Sequence, residues 1–482
     1  MQQPQKQMQG TKVKALIPMS ILVSAMLLIG CGPDSSDKDD DPKTPTTPPT
    51  VTIPWDTSID PANVSDVGKS GTQTLTGTET KTLVILVSFA DQPLQKNAAY
   101  WSSEIFGKEF GELNDFMQKN SENKIYLGPT IESAGVQDGV VTVSLPYNHL
   151  APNGSMTSAN TQKLIEDSLI EAFNNVDLAA IDTNNDSIIS QDELTPLLII
   201  AGQEESFTNL VPSIWAHSYV VANDTFTDYL SIGGYSIHSS YALFGEQHDN
   251  HVATIGIMAH ELGHAIFGLP DLYNTDPRNA SQGIGPFGLM SGASWGAQPI
   301  SGSNQPGNSP GEMSAWSKKA LGIGDIIEIN QRSDWKNFYL ASNNSNQYNM
   351  LQVNISQDEY FLIENMSDQG YMTGLKGLID FVGGVAIWHI NERIIRNEYL
   401  NNTVNADKNH KGVDLEEAYT LNLDLGHSPT ARELFYKNNK TEFSNSSSPS
   451  KSTLDNGFAS GVSVKNVSER GVTMSLSLTN KL

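Results

Sequence analysis

Thr82-Leu83-Val84-Ile85-Leu86-Val87-Ser88-Phe89 is a nearly unbroken apolar run rich in β-branched residues, a pattern that predicts a buried strand. Positions 113–120 and 161–173 carry apolar side chains at helical spacing, and 140–145 reads as a strand between them. A further buried strand is predicted at 197–202. This alternation predicts an α/β domain that begins near residue 80. Beyond Gly322 the texture changes: short apolar runs at 360–363, 384–388 and 472–478 lie between polar loops. The expected organisation is a leader at 1–31, a tether at 32–79, an α/β domain at 80–325 and a β-rich, sandwich-like domain at 326–482.

The leader has its own pattern. Lys6, Lys12 and Lys14 precede an apolar run from Ala15 to Ile29, too short to favour a membrane span and typical of a secretory signal. Leu28-Ile29-Gly30-Cys31 resembles the lipobox of bacterial lipoproteins, which implies cleavage before Cys31 and lipidation of that residue. Cys31 is the sole cysteine, so no internal disulfide can form. Asp-, Thr- and Pro-rich sequence up to Pro54 is expected to be a disordered tether. Gly32 stands where an aspartate would signal inner-membrane retention in many Gram-negative bacteria, so outer-membrane or surface display is expected. The charge balance, 29 Lys and Arg against 54 Asp and Glu for a formal −25, argues against a nucleic-acid partner. Nothing in the sequence sets an oligomeric state.

Candidate chemistry centres on His260-Glu261-Leu262-Gly263-His264. Residues four apart share a helix face, so His260 and His264 can converge on one ion, with Glu261 about 100° round the helix. That constellation predicts zinc hydrolysis, with Glu261 as general base toward a metal-activated water. The apolar segment 254–259 before it has no proline, as a buried helix requires. Gly268 can end the helix in a left-handed turn and Pro270 cannot continue it, so the chain can return to bring Asp271 in as third ligand. His248, His251, a more distant carboxylate or Tyr273 are the alternatives. Met290, in a turn of small residues, stands where metzincins place a methionine beneath the metal.

A second metal is expected at 182–193, which has the spacing of an EF-hand-like calcium loop. Asp182, Asn184, Asp186, the Ile188 carbonyl and Glu193 would ligate calcium, with Ser190 acting through water and Ile189 pointing into the core. Ser187 replaces the usual glycine at the sharp turn. Calcium there would be structural. The cluster 414–417 and Glu364 are weaker acidic candidates, with solvated loops the default. Trp215 and His217 are candidates for shaping a cleft, and Trp388 and His389 for packing.

Beyond the zinc helix the chain resembles the immune inhibitor A-like metallopeptidases, a bacterial family related to metzincins. The resemblance rests on segments in order: 87–93, 201–205, 214–218, 313–318, 321–322, 360–365, 387–390 and 410–418. It implies a metzincin-like catalytic domain, a zinc cofactor, and protein or peptide substrates outside the cell. One departure is that the family's glycine and aspartate follow the second histidine by three and six residues, whereas Gly268 and Asp271 follow His264 by four and seven. The expected function is thus a lipid-anchored zinc endopeptidase; the alternative is a catalytically inactive, calcium-stabilised surface binding protein or adhesin on the same scaffold.

Overall fold

The computed structural model describes residues 78–154, 156–222, 228–345 and 347–481; the apolar run before Cys31, Cys31 itself and the tether up to residue 77 lie outside the described residues. The first part of the chain runs β1 (Thr78–Phe89), α1 (Ala98–Phe106), α2 (Leu113–Asn120), β2 (Ile125–Pro129), β3 (Val140–Leu145), α3 (Ser158–Phe173), β4 (Ile188–Ser190), β5 (Thr195–Glu204), β6 (Ser213–Ile214) and β7 (His217–Val220). It continues through β8 (Leu230–Ile232), β9 (Tyr235–His238), β10 (Ser240–His248), β11 (His251–Val252) and the long helix α4 (Ile255–Phe267). The predicted helix at 113–120 and strand at 140–145 coincide with α2 and β3. Helix α3 starts three residues before its first predicted position, because the Thr157 hydroxyl caps it by accepting from Asn160 N.

Strand β1 lies in the middle of the sheet, parallel to β2, β3 and β5; β5 in turn runs parallel to β10. Successive residues of a strand face opposite sides. Val84 and Leu86 therefore join Leu197, Ile199 and Phe244 in the core shared with α1, α2 and α4. Leu83, Ile85 and Val87 join Leu198, Ile200 and Leu243 in a second core under α3. Both faces being covered explains why the β1 sequence is apolar without alternation. At the far edge, β7 and β11 pair antiparallel with the two ends of β10.

The second part holds α5 (Ala315–Ala320), β12 (Asp325–Ile329), β13 (Ser333–Ala341), β14 (Asn349–Asn354), β15 (Glu359–Met366), β16 (Gly384–Asn391), α6 (Glu392–Glu398), β17 (Val413–Leu415), β18 (Val462–Lys465) and β19 (Thr473–Asn480). Five of these strands form a sheet in the order β12-β14-β15-β16-β17, and three form another in the order β13-β19-β18. Phe361, Ile363, Val385 and Ile387 share one apolar cluster with Leu340, Val464, Met474 and Leu476. The opposite-facing Tyr360, Leu362, Ala386 and Trp388 belong to the cluster that also contains Met258, Ala259 and Leu262 of α4. The core around α4 thus continues past Asp325 into the second part.

Glu364 is committed to packing rather than to a cation site. Its carboxylate accepts from Tyr348 Oη at 2.7 Å and from Trp388 Nε1 at 3.0 Å, and the Lys318 Nζ lies 3.7 Å away. Lys318, itself buried, also donates to Glu312 at 2.7 Å, and through Glu364 it joins α5 to β15. Lys318→Met would leave two buried carboxylates without a cation; the expected loss is about 3–5 kcal/mol in stability, measured by chemical denaturation, and a loss below 1 kcal/mol would contradict this account of the network.

Candidate metal centre

Every residue of α4 except His264 is buried, so the helix sits inside the protein and its glycines decide what can approach it. A Cβ on Gly256 would collide with the Ser294 carbonyl, and one on Gly263 would lie 2.5 Å from the Met290 Sδ. Met290 is therefore packed directly against the helix, beside the turn that carries both histidines. The same segment supplies the Leu289 carbonyl, which accepts from His260 Nδ1 at 2.9 Å, and the Met290 carbonyl, which accepts from Leu272 N at 2.7 Å.

The extra residue after His264 is taken up at the helix end. Gly268 adopts φ 61°, and its N–H bonds the His264 carbonyl at 2.9 Å. Leu269 N–H then reaches the Gly263 carbonyl at 3.1 Å, six residues back. The usual left-handed helix end closes with a bond five residues back. The last turn is thus one residue wider, and Asp271 arrives at the helix face in spite of the insertion. On the way, the Leu269 carbonyl accepts from His264 Nδ1 at 2.5 Å.

The Asp271 Oδ1 lies 3.1 Å from His260 Nε2 and 3.2 Å from His264 Nε2, and the two Nε2 atoms are 3.3 Å apart. Each Nδ1 faces a carbonyl, which can only accept, so each Nδ1 carries the ring proton and each Nε2 presents a lone pair. Three acceptors therefore converge with no donor among them. Such a trio calls for a shared proton or a cation. Tetrahedral zinc with bonds of about 2.0 Å separates its ligands by about 3.3 Å, so these residues fit that ion. Burial works against charge on Asp271, but His264 and His260 outweigh it and hold the carboxyl far below the usual carboxylate range.

Glu261 is 5 % exposed, and among the described residues no group hydrogen-bonds its carboxyl. Burial pushes it up to about 8, with His260 opposing and the Asp271 and Glu204 carboxylates adding to the rise. Tyr273 stacks on His260 with ring centroids 6.3 Å apart, and burial followed by the charge of Asp271 lifts its phenol well above the usual value. His248 and His251, the alternative third ligands, instead pack around Phe207.

Sequence reasoning missed the groups that hold Asp271. Asn402 Nδ2 donates to Asp271 Oδ2 at 2.6 Å, and Asn402 Oδ1 accepts from Asp271 N at 2.8 Å, across 131 residues of chain. The Tyr399 hydroxyl donates to the Gly268 carbonyl, and Asn405 Nδ2 donates to the Leu272 carbonyl at 2.9 Å. Nothing in the asparagine-rich stretch around Asn402 distinguishes these residues by type or spacing from loop residues.

The other candidates fall elsewhere. In the 182–193 loop, Asp182 accepts from Asp186 N and Ser187 N, Asn184 from Asp186 N, and Asp186 from Ile188 N. Ser187 takes φ 64°, the conformation for which glycine is usual, and Ile189 is fully buried as expected. Glu193, however, is turned to the amides and hydroxyls of Thr183 and Ser190, so Asp182, Asp186 and Glu193 form no converging cluster among the described residues. His217 bonds the Trp215 carbonyl and the Tyr241 hydroxyl, and His389 lies between Glu359 and Glu416. Trp388 is core.

Comparison with known proteins bears on this site. Residues 197–325 match the family described as immune inhibitor A peptidase M6, catalytic domain. Immune inhibitor A of Bacillus thuringiensis subsp. alesti is 26 % identical over 343 residues, covering 62 % of this chain and 49 % of the relative. The chain thus spans about half the length of that relative. By sequence, the segment carrying His260, Glu261, His264, Asp271 and Met290 matches the catalytic domain of the immune inhibitor A peptidases, the family this chain resembles over more than half its length.

Proposed function

We propose that the protein is a zinc-dependent endopeptidase of metzincin-like fold, with a sandwich-like second domain at 326–482 behind a catalytic domain at 80–325. The observation that carries this reading is the convergence of three acceptors, the buried His260 Nε2 and Asp271 Oδ1 and the partly buried His264 Nε2, next to a carboxyl without a hydrogen-bond partner among the described residues. His260, His264 and Asp271 hold the ion, and Met290 supports the helix beneath them. Zinc, when bound, supplies positive charge that polarises the scissile carbonyl and eases deprotonation of water. Glu261 takes the proton of the attacking water and delivers it to the leaving nitrogen.

Substrate lies along β7 in this reading. That strand pairs only with β10 among the described residues and packs against α4, which leaves its outer edge free to take an extended peptide. Tyr219 on this strand and Trp215 just before it, 42 % and 43 % exposed, supply apolar contact. The protein is held at the outer membrane or cell surface by lipid on Cys31, with calcium in the 182–193 loop as a structural ion. Calcium there requires Glu193 to exchange its bonds to Thr183 and Ser190 for the metal.

Glu261→Gln is expected to retain zinc while lowering turnover of casein by about 100- to 10,000-fold; normal turnover by that variant would remove Glu261 from the chemistry. Asn402→Ala frees Asp271 to rotate, and the expected result is a zinc affinity about 10- to 100-fold weaker in competition with a chromophoric chelator. Unchanged affinity would show that Asp271 is held well enough by the backbone alone. Chelating calcium with zinc kept in excess should lower the melting temperature, and an unchanged melting temperature would end the structural role for calcium.

A further inference from the structure

The hairpin that leads into α4 carries a second pair of histidines. Strand β10 ends at His248, Asp249 turns the chain with φ 57°, and His251 opens β11 directly opposite His248. Directly opposed residues of an antiparallel pair project from the same face. The two rings stand 5.6 Å apart between centroids with an interplanar angle of 78°, against 4.9 Å and 88° for His260 and His264. An imidazole bound through nitrogen at about 2.0–2.1 Å puts its centroid about 3.2 Å from the ion, so two rings on one tetrahedral ion lie about 5.2 Å apart. The two observed pairs bracket that spacing.

The hydrogen bonding of this pair is incomplete in a way that points to a ligand. His251 Nδ1 lies 2.8 Å from the Val252 carbonyl, which can only accept, so Nδ1 holds the proton and Nε2 bears the lone pair. That Nε2 is buried and unpartnered among the described residues. His248 is fully buried, and neither of its ring nitrogens has a partner. A neutral imidazole has one donor and one acceptor, and leaving each unmatched costs about 1–3 kcal/mol. Burial, with a smaller contribution from His251, pushes His248 down to about 3, which keeps it neutral. Phe207 stacks flat on His248 at 4.5 Å and stands edge-on to His251 at 5.4 Å, while Trp295 closes the group 5.8 Å from His248. These aromatic walls fix the rings and offer the bare nitrogens nothing to bond.

We propose that His248 and His251 form a second transition-metal site, binding zinc or a like divalent ion through His251 Nε2 and one nitrogen of His248, with water completing the coordination. The pair shares no ligand with the His260, His264 and Asp271 centre. An ion here ties the two strands of the hairpin together four positions before the start of the helix that carries the first centre, so it stabilises the entry to α4. Imidazole donors suit zinc and copper and do not suit calcium.

The test is zinc stoichiometry of the full chain after equilibrium dialysis against excess zinc with calcium present. Two zinc ions per chain are expected for the unaltered protein, and one each for His251→Gln, His248→Phe and His264→Gln. His251→Gln is the safer variant because His251 is only partly buried, and His248→Phe keeps an aromatic ring in the box. As a second readout, Cu2+ added to zinc-loaded protein should give an electron paramagnetic resonance signal coupled to imidazole nitrogen that is lost in His251→Gln. A single zinc in the unaltered protein, or two retained in both His251→Gln and His248→Phe, would overturn the site and leave the four rings as aromatic packing.

Discussion

Three hydrogen-bond acceptors gathered around one largely buried point are the constraint to which the surrounding structure answers. His260 Nε2, His264 Nε2 and Asp271 Oδ1 have no donor among them, and acceptors gathered out of water without one are costly. A cation removes that cost, and holding the acceptors open for it requires that nothing else satisfy them. The fold does this by committing the opposite nitrogen of each ring to a main-chain carbonyl, Leu289 for His260 and Leu269 for His264. Those two carbonyls lie in the two segments whose course is set by packing against α4: the Met290 turn beneath Gly263, and the widened turn after Phe267.

The second part of the chain completes the centre rather than standing apart from it. Asn402 grips both the side chain and the backbone of Asp271, Tyr399 holds the Gly268 carbonyl, and Asn405 holds Leu272. These bonds work only if the loop after α6 keeps its place, and it is carried by β16 and β17, whose residues share the apolar cluster with α4. The Lys318 network ties the same sheet to α5. Geometry at the His260, His264 and Asp271 cluster therefore depends on burial far from it, as expected where supporting hydrogen bonds orient a side chain.

The loop at 182–193 shows how a correct local pattern can still leave a ligand undecided. Its Asp and Asn residues fold into the expected turn, and Ser187 and Ile189 take their expected conformation and burial. Glu193 instead finds two amides and two hydroxyls within the loop, which satisfy a carboxylate without an ion. Spacing specifies which residues can reach a point; the competition between local donors and a cation specifies where a carboxylate goes.

Much of this protein was legible from residue order. The four-residue spacing of His260 and His264 needs only a helix to bring them together, and the apolar run of β1 needs only burial on both faces to be a strand. Gly268 with Pro270 was enough to end the helix, because one favours a left-handed turn and the other cannot continue the hydrogen-bond ladder. Whether Asp271 reached the two histidines was beyond the sequence, since one inserted residue rotates the downstream chain by about 100° unless a turn absorbs it. The six-residue bond from Leu269 to Gly263 absorbs it, and Asn402 secures the result from 131 residues away. Local periodicity dictates contacts one helical turn apart, whereas contacts across long loops are settled only by the packing of the whole chain.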